Sequence, residues 1–278
     1  MFDSRLTLAR PDLAARRLEG AVRAERFAEP VRMQCSASVA ALRRAPDPLS
    51  EQDDQLLFGE TFDVLSEADG WAWGQARRDG YVGYVLAEAL SAPVLAPTHA
   101  VAALRTYSFV EPDFRSPVEA LLSLNALVTV EECRDRYVRI ARGGWIYASH
   151  LALVGEATDG DPVAVAERFL AAPYQWGGRE SLGLDCSALV QQALYAVGRG
   201  CPRDADMQEE TLGREVAPDA LGRGDLVFWQ GHVAWMLDEA RVLHANSHAM
   251  AVVVEPLAEV VERIEARGDG KPTAYRRL

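Results

Sequence analysis

The patterning of this 278-residue chain changes character near Val154, and that change limits its possible folds more than any other feature. From about Val31 to Leu151, apolar residues fall in short alternating runs broken by Asp, Gly and Pro. Such a pattern suits strands and leaves no room for long helices. Residues 56–65 match residues 121–130 in apolar pattern, and Gly83-Tyr84-Val85 matches Gly144-Trp145-Ile146 at nearly the same offset. The region therefore reads as a duplication. Two units of roughly 60 residues fit small barrels, near the smallest size that supports its own core. Ahead of them, residues 1–28 form an arm with a helical candidate over 11–18, closed by Gly20.

Beyond Val154 the spacing turns helical. Asp161-Pro162 supplies an N-cap residue followed by Pro at the first helical position, for a helix through Val165, Ala166, Phe169 and Leu170 that stops near Pro173. A second helix starts at Cys186 and ends at Gly198 or Gly200. Strand candidates follow at 225–229, 232–237, 241–245 and 251–255, then a helix over 256–267. Helices first and an antiparallel run after them describe an α+β domain. The expected division is an arm at 1–28, barrels at 29–95 and 96–157, and an α+β domain at 158–278.

Composition excludes several classes of partner. The chain carries a net charge of −12, whereas nucleic acid and anionic membrane surfaces call for a basic face. Four cysteines scattered over this length make no disulfide framework. With neither a Cys-x-x-Cys pair nor a His-Glu-x-x-His helix, no metal and no cofactor is expected. The first ten residues mix acid and base without an apolar core segment, so neither a secretory signal nor an anchor is expected. The resulting expectation is a cytoplasmic protein, in a compartment that keeps thiols reduced.

Cys186 is the residue that carries chemistry. It follows Asp185, a good N-cap type, and Leu189, Val190, Ala193, Leu194 and Val197 form one apolar helical face behind it. A thiol there meets the positive end of the helix dipole, which favours thiolate. Downstream, His232 follows Gly231, and His244 ends the next strand candidate. If those strands pair through Asp238-Glu239-Ala240, the two imidazoles become neighbours, one as base and one as its orienter. His248, four residues on, competes with His244 for that place. His99 and His150 have no partner in view. Cys35 and Cys133 lie in alternating runs and read as packing residues, and Cys201 lacks the surroundings of Cys186.

Four blocks occur in order: Pro173-Tyr174-Gln175-Trp176-Gly177-Gly178, Leu184-Asp185-Cys186-Ser187-Ala188-Leu189-Val190, Gly224-Asp225-Leu226-Val227-Phe228-Trp229 and Gly231-His232-Val233. Together they resemble the NlpC-type cell-wall cysteine peptidases, whose core is papain-like. The two β units resemble bacterial SH3-like barrels. That pairing is similar to the γ-D-glutamyl-L-diamino acid endopeptidases of murein peptides. The resemblance implies an α+β papain-like cysteine peptidase domain behind two small SH3-like β-barrels. It implies Cys186 as nucleophile, His232 as base, His244 as orienter and Tyr174 beside the oxyanion. Asp185 and Ser187 would line the substrate pocket, near Trp176. Arg203 and Asp204 would belong to a loop facing the substrate, although Asp204, Ala205 and Asp206 stand where relatives can have serine. Glu60 and Tyr81, with Tyr84 as the alternative to Tyr81, would join Asp185 in recognising a free N-terminal L-Ala. Trp235 is bulkier than the residue common at its place. The implied reaction is hydrolysis of the γ-D-glutamyl–diamino acid amide in soluble murein peptides, as part of cell-wall recycling. A non-catalytic muropeptide-binding protein and an acyltransferase using the same cysteine are the alternatives. The sequence leaves open diaminopimelate against lysine, tripeptide against tetrapeptide, and the oligomeric state.

Overall fold

The computed structural model describes residues 2–155 and 160–278. The chain splits into two compact units, Met1–Val154 and Gly155–Leu278. The expected boundary between residues 157 and 158 lies outside the described residues.

In the N-terminal unit a seven-stranded antiparallel sheet is built from β1 (Val31–Cys35), β2 (Val39–Arg43), β3 (Gln52–Leu57), β4 (Thr61–Ala68), β5 (Trp71–Ala76), β6 (Val82–Leu86) and β7 (Leu90–Ser91). The strands lie side by side in the order β3-β2-β6-β5-β4-β1-β7. A second set follows: β8 (His99–Val101), β9 (Arg105–Phe109), β10 (Val118–Ser123), β11 (Leu127–Val128), β12 (Val130–Arg134), β13 (Tyr137–Ile140), β14 (Trp145–Tyr147) and β15 (Leu151–Leu153). Its sheets run β10-β9-β14-β13-β12 and β11-β8-β15. This is the order of the first set, with the counterpart of β4 broken into β11 and β12. Gly83-Tyr84-Val85 and Gly144-Trp145-Ile146 fall on or at the start of corresponding strands, β6 and β14, each followed by one 3₁₀ turn. The apolar pattern therefore repeats because the topology repeats.

Leu57 and Phe58 at the end of β3 pack into the second set's core with Val101, Leu122, Val128, Ile140 and Ile146. Gly59 makes this approach possible. Its φ is +80°, and a Cβ there would stand 1.9 Å from the Leu127 carbonyl oxygen. The arm differs from the expectation for 11–18: in place of a helix, Ala14–Ala15 pairs in parallel with Phe27–Ala28 and a single 3₁₀ turn, Arg16–Leu18, follows. Leu8, Leu13 and Ala15 are instead buried against Leu65 and Trp73, and burying one turn after another of an extended arm leaves no face for a helix. Cys35 is buried as expected, but Cys133 is exposed, because β12 keeps little of its length in the core.

In the C-terminal unit, Asp161 Oδ1 accepts the Val163 N–H at 2.9 Å and starts α1 (Pro162–Glu167). This helix stops short of the expected Pro173. From Arg168 to Leu170 the backbone closes tighter i→i−3 turns, and Ala171 is left-handed at φ +66°. The helix α2 (Cys186–Ala196) is buried along almost its whole length. It is followed by α3 (Ala205–Thr211). The sheet comprises β16 (Asp225–Trp229), β17 (His232–Met236), β18 (Arg241–Asn246), β19 (Ala251–Pro256) and β20 (Ala274–Arg277), with α4 (Leu257–Arg267) between the last two strands. The short strand Arg214–Glu215 lies outside β20, giving the order Arg214–Glu215, β20, β16, β17, β18, β19. β20 was not foreseen. Its Arg277 Nη2 pairs with Asp225 Oδ2 at 2.6 Å, holding the strand beside β16. Among the described residues, no helix is long and apolar enough to cross a membrane.

Candidate active site

Asp185 caps α2 by accepting the Ala188 N–H on Oδ1 at 2.9 Å, and this places Cys186 at the first helical position. The sulfur lies against the turn into β17. It approaches the Gly231 carbonyl oxygen at 4.0 Å, and the N–H groups of Val233 and Ser187 donate to it. It is thus held by the residues on either side of His232. Gln230-Gly231 forms the tight turn between β16 and β17, with Gly231 at φ +73°.

The expected hairpin forms. β17 and β18 pair with Trp235 opposite Leu243 and Met236 opposite Val242, while Asp238 Oδ1 accepts the Ala240 and Arg241 N–H groups in the turn. In that register, residues 232 and 244 are diagonal neighbours on one face. His232 Nε2 and His244 Nδ1 are 2.8 Å apart, so His244, and not His248, stands beside His232. The Trp229 ring covers His232, with centroids 5.6 Å apart. Trp235 falls on the opposite face of β17, fully buried and away from the cleft.

The chain of bonds continues beyond the residues that the sequence pointed to. His244 Nε2 lies 2.8 Å from Glu255 Oε2, and Asn246 Nδ2 donates to the same oxygen at 3.1 Å. Arg263 then donates to both Glu255 oxygens, at 2.7 and 2.9 Å. A carboxylate only accepts, so His244 carries its hydrogen on Nε2 and offers a lone pair at Nδ1. His232 must donate from Nε2, which leaves its own Nδ1 as the basic nitrogen. Glu255 and Arg263 were missed. The sole hint in the sequence was an acid on β19 and a base two turns along α4, a spacing too common to single out.

Burial dominates the electrostatics. It pushes the Cys186 thiol up to about 12, and the Asp185 charge adds to the shift. Burial and the neighbouring His244 push His232 down to about 3. Burial alone would raise Glu255, but Arg263 and His244 outweigh it and hold the carboxyl at about 2. The thiolate expected at the helix end is opposed by desolvation, which favours the uncharged thiol–imidazole pair. The Tyr174 hydroxyl is raised by burial and then by Cys186 and Asp185, so it stays a proton donor.

Cys186, His232, His244, Tyr174 and Trp176 line one cleft of about 250 Å3, with Trp176 more than half exposed. Asp185, Ser187 and Arg203 lie underneath it, all buried. Arg203 donates to both Asp185 oxygens, at 3.0 and 2.5 Å, and to Ser187 Oγ at 2.9 Å, while Gly177 N–H donates to Asp185 Oδ2 at 2.9 Å. These groups brace the mouth of α2. Asp204 occupies the N-cap position of α3 without a side-chain cap bond. Glu60 and Tyr81 belong to the N-terminal unit. There Glu60 is buried, pairs with Arg78 Nη1 at 2.8 Å and accepts the Leu57 N–H at 3.0 Å. Tyr81 is buried in the wall of a groove that also contains Tyr84 and Trp73. Among the described residues, no group of three or more His, Cys, Asp or Glu side chains is arranged to hold a metal ion.

Comparison with known proteins gives two family matches: residues 171–263 to the NlpC/P60 family, and residues 42–90 to the bacterial dipeptidyl-peptidase SH3 domain. The chain is 26% identical over 252 residues to dipeptidyl-peptidase 6 of Lysinibacillus sphaericus, covering 80% of this chain and 90% of that protein. It is also 26% identical over 230 residues to the gamma-D-glutamyl-L-lysine dipeptidyl-peptidase of Bacillus subtilis, covering 74% and 76%. A crystal structure of an NlpC/P60 family protein from Bacillus cereus superposes with a TM-score of 0.75 at 19% identity, covering 89% of this chain and 99% of that one.

Proposed function

Starting from an NlpC/P60 family domain at residues 171–263 and a bacterial SH3 domain at residues 42–90, we propose that this protein is a cysteine peptidase of murein peptides. It hydrolyses the amide between γ-D-glutamate and an L-diamino acid, in peptides with a free N-terminal L-alanine. The observation that carries the reading is the bonded series His232–His244–Glu255–Arg263 beside a cysteine at a helix mouth. Its substrate is supported by relatives named dipeptidyl-peptidases, one of them a gamma-D-glutamyl-L-lysine dipeptidyl-peptidase by name. The repeated strand order supports reading the second β set as another SH3-like barrel. Four free cysteines suit a reducing compartment, which fits recycling of trimmed peptides in the cytoplasm.

The geometry divides the work as follows. His232 Nδ1 takes the thiol proton as Cys186 Sγ bonds to the amide carbon, so charge develops only as the reaction needs it. The oxyanion lies near the N-terminal amides of α2, where the Cys186 N–H has no helical partner, and near the Tyr174 hydroxyl. His232 then returns the proton to the leaving nitrogen as the C–N bond breaks. Water, deprotonated by the same nitrogen, releases the acyl group and restores the thiol. His244 steadies the transient imidazolium, and Glu255 steadies His244.

The test is mass spectrometry of L-Ala-γ-D-Glu-diamino acid tripeptides incubated with the protein. Wild type should release the dipeptide and free diamino acid, and Cys186→Ala should release neither. Turnover persisting in the variant would remove the assignment.

A further inference from the structure

The cleft extends past the imidazoles, to residues that the series above does not use. Arg267 lies four residues beyond Arg263 on α4, one turn further along the same face, and His248 lies two residues beyond Asn246. Both line the cleft that holds Cys186, and so does Asp269. Arg267 Nη2 donates to His248 Nδ1 at 3.0 Å. A guanidinium cannot accept, so His248 carries its hydrogen on Nε2. Glu255 matches the charge of Arg263, but among the described residues no ion pair matches that of Arg267. The rim thus presents a guanidinium outside any ion pair among the described residues, an imidazole donor and a carboxylate, in a protein of net charge −12.

The reaction says what arrives there. This inference rests on the proposed function: His232 protonates the leaving nitrogen, so the leaving diamino acid lies on the imidazole side of the sulfur. Arg267, His248 and Asp269 line the same cleft as His232, His244 and Arg263. We propose that Arg267, His248 and Asp269 form a subsite for the side-chain terminus of the leaving residue. It selects a zwitterionic terminus, with both carboxylate and ammonium as in diaminopimelate, over a terminus with ammonium alone as in lysine. Arg267 and His248 Nε2 donate to the carboxylate, and Asp269 accepts from the ammonium. A lysine terminus satisfies Asp269 but meets only repulsion from Arg267.

The test compares kcat/KM for L-Ala-γ-D-Glu-meso-diaminopimelate with that for L-Ala-γ-D-Glu-L-Lys. Because the three side chains are exposed, the expected wild-type preference is about fivefold, roughly 1 kcal/mol, the upper range for solvated ion pairs. Arg267→Ala should bring the ratio close to unity, and Arg267→Lys should keep part of it. Amidating the side-chain carboxyl of diaminopimelate should cost wild type the same factor and cost Arg267→Ala nothing further. Equal rates for the two peptides with wild type would overturn the subsite. So would equal losses on both in Arg267→Ala that vanish when the α-carboxyl of the leaving residue is amidated, since Arg267 would then read the backbone carboxylate. If wild type cleaves neither peptide, it is the proposed function that fails, and the subsite with it.

Discussion

A cysteine at a helix mouth is usually expected to be a thiolate, and Cys186 shows how far that depends on water. The N–H groups of Ser187 and Val233 donate to its sulfur, yet burial with Asp185 close by pushes the thiol up to about 12. His232, pushed down to about 3, is equally reluctant to take a charge. The proton should therefore move only during attack. A raised thiol pKa means that the thiolate fraction grows as pH climbs, with no plateau near neutrality. In a Cys133→Ser background, which removes the exposed thiol, iodoacetamide labelling of Cys186 should keep rising above about pH 8.5, where an unperturbed cysteine is half ionised. A labelling rate already level at pH 7 would contradict the neutral resting pair.

Strand pairing and helix placement turn that residue into a site. β17 and β18 put His232 and His244 on one face; β19 adds Glu255 across from Val242, and α4 returns over the sheet to add Arg263. Glu255 raises the basicity of both imidazoles. Glu255→Gln should therefore lower kcat by at least about tenfold, at the low end of general-base contributions, and shift the acid limb of the pH–rate profile to lower pH. The direction follows from the charge: without the carboxylate, imidazolium is less stable and forms only in stronger acid. A residue that merely packed would lower the melting temperature without moving that limb. The helix ends were partly legible. Asp161-Pro162 and Asp185 named the starts of α1 and α2 because an N-cap is a local device. β20 was not legible, since Ala274–Arg277 is too short and too basic to announce a strand, and its place depends on Asp225, 52 residues away.

Across the chain, the two units are built on different principles. The N-terminal one repeats a strand order, and its two β sets share a core through Leu57 and Phe58. Gly59 is where that sharing is most exposed to substitution. Gly70 makes a fair control: its φ is +79° with nothing within 4 Å of a Cβ, whereas at Gly59 the Leu127 carbonyl stands in the way. Gly70→Ala should cost about 1 kcal/mol of left-handed strain, and Gly59→Ala a further ~1–3 kcal/mol for the clash. Thermal or denaturant unfolding of the two variants checks this. Equal losses would show that the two β sets can move apart to admit a methyl group.

Apolar periodicity and capping residues act over a few positions, so the chain announces unaided its change from strands to helices, its internal duplication and the cysteine at the mouth of α2. Competition among like residues has to be settled by packing. Nothing local distinguishes His244 from His248; the antiparallel register does, by putting one beside His232 and the other against Arg267. Nothing local says that the arm at 11–18 stays mostly extended; Trp73 and Leu65 do, by burying it. The protonation of Cys186 belongs to the same class, because the cost of charging a sulfur depends on how much water the folded chain leaves around it.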